Sequence, residues 1–224
     1  MTPLAGIIAA RIRAMGPISL ADYMQICLLD SRYGYYATRD PFGQKGDFVT
    51  SPEIHQIFGE ICGLALAQAW MDQGQPAPFT LAEPGPGRGT LMADMLRTLR
   101  AVPGMREAAK VALIEASPHL RQVQTERLGQ VLHLDNVEDL PVKPLFMIAN
   151  EFIDALPIRQ FQMTEEGWRE RMVGLCDKGT LRLGLGEVVP LPREGSVGDI
   201  VEECPEGVAF VEALGRRIAA QGGA

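Results

Sequence analysis

The sequence predicts a Rossmann-like α/β fold: a parallel sheet with helices on both faces, an N-terminal helical extension and a β-rich insertion. Three observations predict it. Short apolar runs alternate with helical stretches between Phe79 and Asn150, the pattern of a parallel sheet. The first of those runs ends in a glycine-rich turn that opens directly into a helix. From Gln160 the character changes to short strands joined by turns.

The elements follow in order. Residues 3–14 form an amphipathic helix through Leu4, Ile7, Ile8 and Ile12. Gly16-Pro17 stops it, because proline disfavours helix in the residue before it. Ser19 caps a second helix, Leu20 to Leu29. Asp30 to Glu53 is irregular but rich in Tyr and Phe, which predicts an ordered lid or strap. Ser51-Pro52-Glu53 gives an N-cap, a first-turn proline and an acidic first turn for a helix over 53–72. Strands are expected at Phe79–Glu83, Val111–Glu115, Val131–Leu134 and Leu145–Asn150, with helices at Thr90–Leu99 and Pro118–Leu128 between them. Arg159–Met163, Trp168–Gly174 and Thr180–Gly184 read as antiparallel strands, and Gly207–Ala220 as a last helix. The resulting division is 1–75, helical extension and cofactor-covering strap; 76–160, core; 161–206, β-rich insertion or cap; 207–224, a helix returning to the core. A helix followed by Gly222-Gly223-Ala224 predicts a further strand, so the chain reads as C-terminally truncated.

Composition narrows the function. The 224 residues are 46% hydrophobic and 22% charged, ordinary for a globular domain, and no apolar run reaches the ~18 residues of a membrane span. The formal charge of −7 disfavours nucleic acid as a partner. It weakly favours cationic protein segments. Cys27, Cys62, Cys176 and Cys204 form no CxxC pair, and His55, His119 and His133 are scattered. This predicts free thiols and no metal, in a reducing compartment. Arg11 and Arg13 with no acidic residue before Asp22 hint at a transit peptide, but the segment lacks serine and reads as a helix of the mature protein.

The chemistry concentrates at three sheet-edge stretches. In Glu83-Pro84-Gly85-Pro86-Gly87-Arg88-Gly89-Thr90 a strand ends on a carboxylate and a glycine turn opens a helix. Such turns let backbone approach a ligand closely. A dinucleotide would set its pyrophosphate here, and Glu83 would repel it. A carboxylate favours a cationic group instead, such as the amino group of a methionine moiety, so S-adenosylmethionine is preferred over NAD. Glu115 ends the next strand, near the ~20-residue spacing at which an acid holds ribose hydroxyls. Asn150-Glu151-Phe152-Ile153-Asp154 follows the fourth strand on the same edge. Its carboxylates could grip a guanidinium bidentately, or simply favour a helix N-terminus. Gly46, Asp47, Thr50 and Ser51 could close over a cofactor, though plain capping explains the last two equally well.

Taken together, GPISLADYM (16–24), SRYGYY (31–36), GDFVTSPEIHQIFGE (46–60), EPGPGRGTLMADMLR (83–97) and NEFIDALPIRQF (150–161) resemble the MidA and mitochondrial complex I assembly factor family of class I methyltransferases. The resemblance covers most of 16–161, and the 46–60 string is its most specific part. It implies a seven-stranded methyltransferase sheet and S-adenosylmethionine as cofactor. It also implies arginine methylation of a protein substrate, by analogy a subunit of respiratory complex I. By position it assigns Glu83, Gly85, Gly87 and Gly89 to the cofactor loop, Glu115 to the ribose, and Gly46, Asp47, Thr50 and Ser51 to the strap. Asn150, Glu151 and Asp154 become the catalytic candidates. A non-catalytic S-adenosylmethionine-binding assembly scaffold is the alternative reading, and an NAD-dependent oxidoreductase the third. The β-rich stretch is compatible with a substrate lid or with the arm of a homodimer.

Overall fold

The structure, a computed structural model, describes residues 2–38 and 50–224. Its first elements are α1 (Pro3–Met15), β1 (Ile18–Ser19), α2 (Leu20–Leu29), α3 (Tyr35–Thr38), α4 (Ser51–Ile54) and α5 (Ile57–Asp72). Next come β2 (Phe79–Pro84), α6 (Thr90–Leu99), α7 (Met105–Ala108), β3 (Ala109–Ile114), α8 (Pro118–Leu128), β4 (Leu132–Leu134) and β5 (Leu145–Met147). The chain ends with β6 (Arg159–Thr164), β7 (Gly167–Leu175), β8 (Leu181–Val188), β9 (Ile200–Glu203) and α9 (Pro205–Gln221). No helix among the described residues is long and apolar enough to cross a membrane.

Local chemistry starts the helices where the sequence places them. Thr2 accepts from the Ala5 N–H at 3.2 Å, with Pro3 in the first turn of α1. Ser19 accepts from Asp22 N–H at 3.0 Å to open α2, and Ser117 from Leu120 N–H at 3.4 Å to open α8. Each satisfies one of the amide donors that a helix start leaves orphaned.

The chain forms two compact units, residues 1–38 with 155–208 and residues 39–154 with 209–224. The first holds a five-stranded antiparallel sheet. β7 pairs with β6 and β1 along one edge and with β8 along the other, while β9 extends the sheet beyond β6. Ile8 and Ile12 of α1 pack with Ile18 and Val173 in its core. Two features were missed by the sequence reading: the strand at Ile200–Glu203 and the pairing of Ile18-Ser19 with Val173 and Met172. Both strands are too short to show a periodicity of their own.

The second unit holds a parallel sheet in the order β4-β3-β2-β5. Strand order therefore reverses between β2 and β5. Every residue of β2 is buried, as expected for the central strand of a sheet covered on both faces. Phe79 meets Phe146 edge-on at 5.1 Å, and the Trp70 ring lies 6.1 Å from Phe79. After α9 the last three residues lie alongside β5 as an isolated bridge rather than a strand. Gly222 accepts from Leu145 N–H at 3.1 Å, and Ala224 donates to the Leu145 carbonyl at 2.9 Å and accepts from Met147 N–H at 2.8 Å. The bridge is parallel.

One helix differs from its sequence pattern. The expected 53–72 helix is interrupted at His55, whose backbone is extended (φ −155°, ψ 134°). The His55 Nδ1 accepts from Ile57 N–H at 3.1 Å and caps the restart. Thr50, not Ser51, occupies the N-cap position of the first piece, and it makes no side-chain cap bond. Of the apolar residues that signal the helix, Ile54, Ile57, Ile61 and Leu64 are exposed, while Leu66 and Trp70 are buried. The buried face carries Gly59, Gly63, Leu66, Ala67 and Trp70. Small residues let α5 lie close to α6: a Cβ on Gly59 would stand 2.5 Å from the Asp94 Cβ, and one on Gly63 3.1 Å from the Met95 Cα. Gly59→Ala is therefore expected to destabilise the chain by about 1–3 kcal/mol through overpacking, although alanine is the better helix former. A thermal melt at or above the parent's would contradict this packing.

Candidate functional site

Open parallel sheets bind ligands outside the carboxyl ends of the strands where strand order reverses. Here that point lies between β2 and β5, and the loops after these two strands meet there. The first loop is the glycine turn. Gly85, Gly87 and Gly89 have φ of 60°, 53° and 74°, backbone that side chains resist. Gly85 donates to the Ile114 carbonyl at 2.9 Å and Gly89 to the Pro86 carbonyl at 2.8 Å. A Cβ on Gly85 would approach Phe152 Cδ2 to 2.9 Å, so the segment after β5 rests directly on the turn. The Phe152 ring is held in turn by Phe210 of α9, 5.1 Å away.

Glu83 stands at the end of β2, 3% exposed. Its Oε2 is buried and has no hydrogen-bond partner among the described residues. Burial pushes its carboxyl well above the ordinary carboxylate range, and a bond to the Met92 backbone in the first turn of α6 pulls it back in part. A buried acceptor left unpaired costs free energy, so its persistence at a strand end beside a glycine turn makes it a candidate ligand contact.

Glu115, just past β3, is also buried. One oxygen accepts from Ser117 N–H at 2.8 Å and the other from Gln124 Nε2 at 3.1 Å. Burial raises its pKa, while the Ser117 amide, Gln124 and the Arg121 charge oppose that rise. Arg121 anchors the strand ends, donating to the Glu115 carbonyl at 2.7 Å, the Leu134 carbonyl at 3.1 Å and Asp135 at 2.5 Å.

The third stretch has a different character. Glu151 and Asp154 are exposed and Asn150 is half-buried. Glu151 takes φ 49°, a left-handed conformation uncommon for a side-chain-bearing residue. The expected strand Leu145–Asn150 stops at Met147, and backbone held in this conformation in the loop after it is a feature that clusters at functional sites.

Of the strap residues, Gly46 and Asp47 lie outside the described residues. Thr50 is half-buried and Ser51 exposed. The described contact from this segment to the glycine turn comes from a residue the sequence reading treated only as an acidic first turn. Glu53 accepts from Thr90 Oγ1 at 2.5 Å and lies 3.9 Å from Arg88. Arg127 donates to the same hydroxyl at 2.5 Å. Gln124 and Phe152 were missed as well. A glutamine within a polar helix and a phenylalanine after a strand carry no sequence signal of their own.

Comparison with known proteins fits this geometry. Residues 61–224 match the model of a family described as "Putative S-adenosyl-L-methionine-dependent methyltransferase". The chain is 38% identical to a zebrafish (Danio rerio) protein and 36% identical to a human one, both named protein arginine methyltransferase NDUFAF7, mitochondrial. The alignments cover 97% and 100% of the chain but 59% and 58% of those proteins, so the chain spans under two thirds of their length. A Burkholderia thailandensis crystal structure bound to S-adenosyl-homocysteine superposes with a TM-score of 0.78 at 28% identity, over 94% of this chain and 58% of that one. With a family model matched across most of its length and a reversal point built as described, the chain belongs to this family of S-adenosyl-L-methionine-dependent methyltransferases.

Proposed function

We propose that the chain holds S-adenosylmethionine between the loops after β2 and β5 and serves methyl transfer to an arginine of a protein substrate. The observation that carries the reading is the buried, unpartnered Glu83 Oε2. A nucleotide phosphate there would meet a carboxylate. A methionine ammonium would satisfy it, and the positive glycine φ values leave backbone free of side chains where such a ligand must pass. Glu115 has lone pairs left beyond its two bonds and serves the ribose hydroxyls.

The bound cofactor supplies a methyl group on a cationic sulfur. The chain's own task is then to hold the acceptor in line and to favour the charge it acquires. The carboxylates of Glu151 and Asp154, with the Asn150 amide, suit a guanidinium. A carboxylate oxygen among them receives the proton that the methylated nitrogen gives up. The names of the relatives support arginine as acceptor and a mitochondrial setting. Resemblance to the complex I assembly family extends this to a subunit of that complex. A bacterial chain would act in the cytoplasm.

The test is transfer of labelled methyl. Incubation with methyl-labelled S-adenosylmethionine and isolated complex I subunits, followed by acid hydrolysis, should place the label in methylarginine. Label in another amino acid, or in no protein at all, would reject the arginine assignment.

A further inference from the structure

Gln124 is the one fully buried residue of α8 whose side chain is polar at its end and bonded at every function. It is 0% exposed. Its Nε2 donates to the Gly87 carbonyl at 2.7 Å and to Glu115 Oε2 at 3.1 Å. Its Oε1 lies 3.0 Å from His133 Nε2. Two acceptors on one side and a ring nitrogen on the other admit a single amide orientation. The flipped amide would set oxygen against a carbonyl and a carboxylate. The same bonds fix the histidine, whose Nε2 must carry a hydrogen to donate to Oε1.

These bonds join pieces that the site needs at a set spacing. Gly87 belongs to the turn after β2, Glu115 follows β3, and His133 sits in β4. The methylene stem of Gln124 also lies under the turn, since a Cβ on Gly89 would meet its Cγ at 3.5 Å. Removing the amide would leave the Gly87 carbonyl and one Glu115 oxygen short of a donor inside a closed space, with nothing to hold their separation.

We propose that Gln124 is a positioning residue: it ties the Gly87 carbonyl to the Glu115 carboxylate and thereby aims Glu115 at the two ribose hydroxyls of the cofactor. The inference rests on the proposed role of Glu115. It predicts that Gln124 acts through Glu115, so the effects of changing the two residues are not independent.

The experiment is a double-mutant cycle on the whole chain, read as affinity for S-adenosyl-homocysteine by calorimetry. A parallel titration uses the analogue lacking both ribose hydroxyls, and a melting curve accompanies each protein. Gln124→Met and Glu115→Gln should each weaken S-adenosyl-homocysteine by about 10-fold or more, the range of one charge-assisted hydrogen bond. The double variant should lose no more than Glu115→Gln alone, and neither single change should alter affinity for the analogue. If Gln124→Met fails to fold, Gln124→Glu keeps the shape but presents an acceptor to Gly87 and Glu115, and the same pattern is expected. Losses that multiply in the double variant, or an equal loss for the analogue, would show a merely structural glutamine and overturn the proposal. So would full affinity in the Gln124 variant beside weakened Glu115→Gln, which would leave the ribose reading standing. Full affinity in Glu115→Gln would defeat the ribose reading, and this proposal with it.

Discussion

Glu83→Gln is expected to bind S-adenosylmethionine at least ~30-fold more weakly than the parent chain while gaining stability without ligand as the pH rises. The two effects have one origin. Removing one member of a buried charge pair costs about 2–5 kcal/mol of binding. Without ligand the same carboxylate is a liability, because burial holds its pKa well above the ordinary value. The sign follows from proton counting. Above about pH 4.3 the unfolded chain releases this proton while the folded chain keeps it. The contribution of Glu83 to stability therefore falls with rising pH, by about 1.4 kcal/mol per pH unit, until the folded group also ionises. The glutamine variant does not titrate there. Melting curves of both proteins between pH 4 and 8 should diverge upward in favour of the variant, and curves that stay parallel would show that Glu83 is not held neutral by burial.

Glu151→Gln and Asp154→Asn should behave in the opposite way. Each is expected to lower methyl transfer by roughly 10²–10³-fold, the scale of losing an electrostatic group that acts in the transition state. Affinity for the cofactor should stay within about 2-fold, because these exposed carboxylates are assigned to the acceptor, while the buried Glu83 and Glu115 are assigned to the cofactor. The same variants separate an enzyme from a scaffold. If assembly of the partner complex survives in cells when transfer is lost, the fold serves as a binding platform. If both are lost together, transfer is the function. Single-turnover kinetics and cofactor titration on the same samples supply the comparison.

Much of the fold was legible in the sequence because local chemistry and tertiary packing agree there. Ser19 caps the helix it was expected to cap. Thr90–Leu99 and Pro118–Leu128 run between the expected limits, and the glycine turn falls between β2 and α6. Helix α5 shows where such reading stops. Its isoleucines and Leu64 signal a helix, but the helix buries glycines. Beside Leu66 and Trp70, the helix packs through close approach of backbone at Gly59 and Gly63, which a hydrophobic pattern cannot register. The pairing of Ile18-Ser19 with β7 is illegible for another reason, since it joins residues far apart in sequence. The site divides in the same way. Glu83 and Glu115 end recognisable strands beside a recognisable turn. Gln124 acquires its importance only when α8 folds back over that turn, and Glu53 only when α4 meets Thr90.

The central claim is that Glu83 and the glycine turn hold S-adenosylmethionine. Calorimetric titration of the chain with S-adenosylmethionine, alongside NAD and the Glu83→Gln variant, tests it most directly. Saturable one-site binding of S-adenosylmethionine, absent for NAD and strongly weakened in the variant, is the predicted result. NAD binding at the same site, or S-adenosylmethionine binding undiminished in Glu83→Gln, would contradict it.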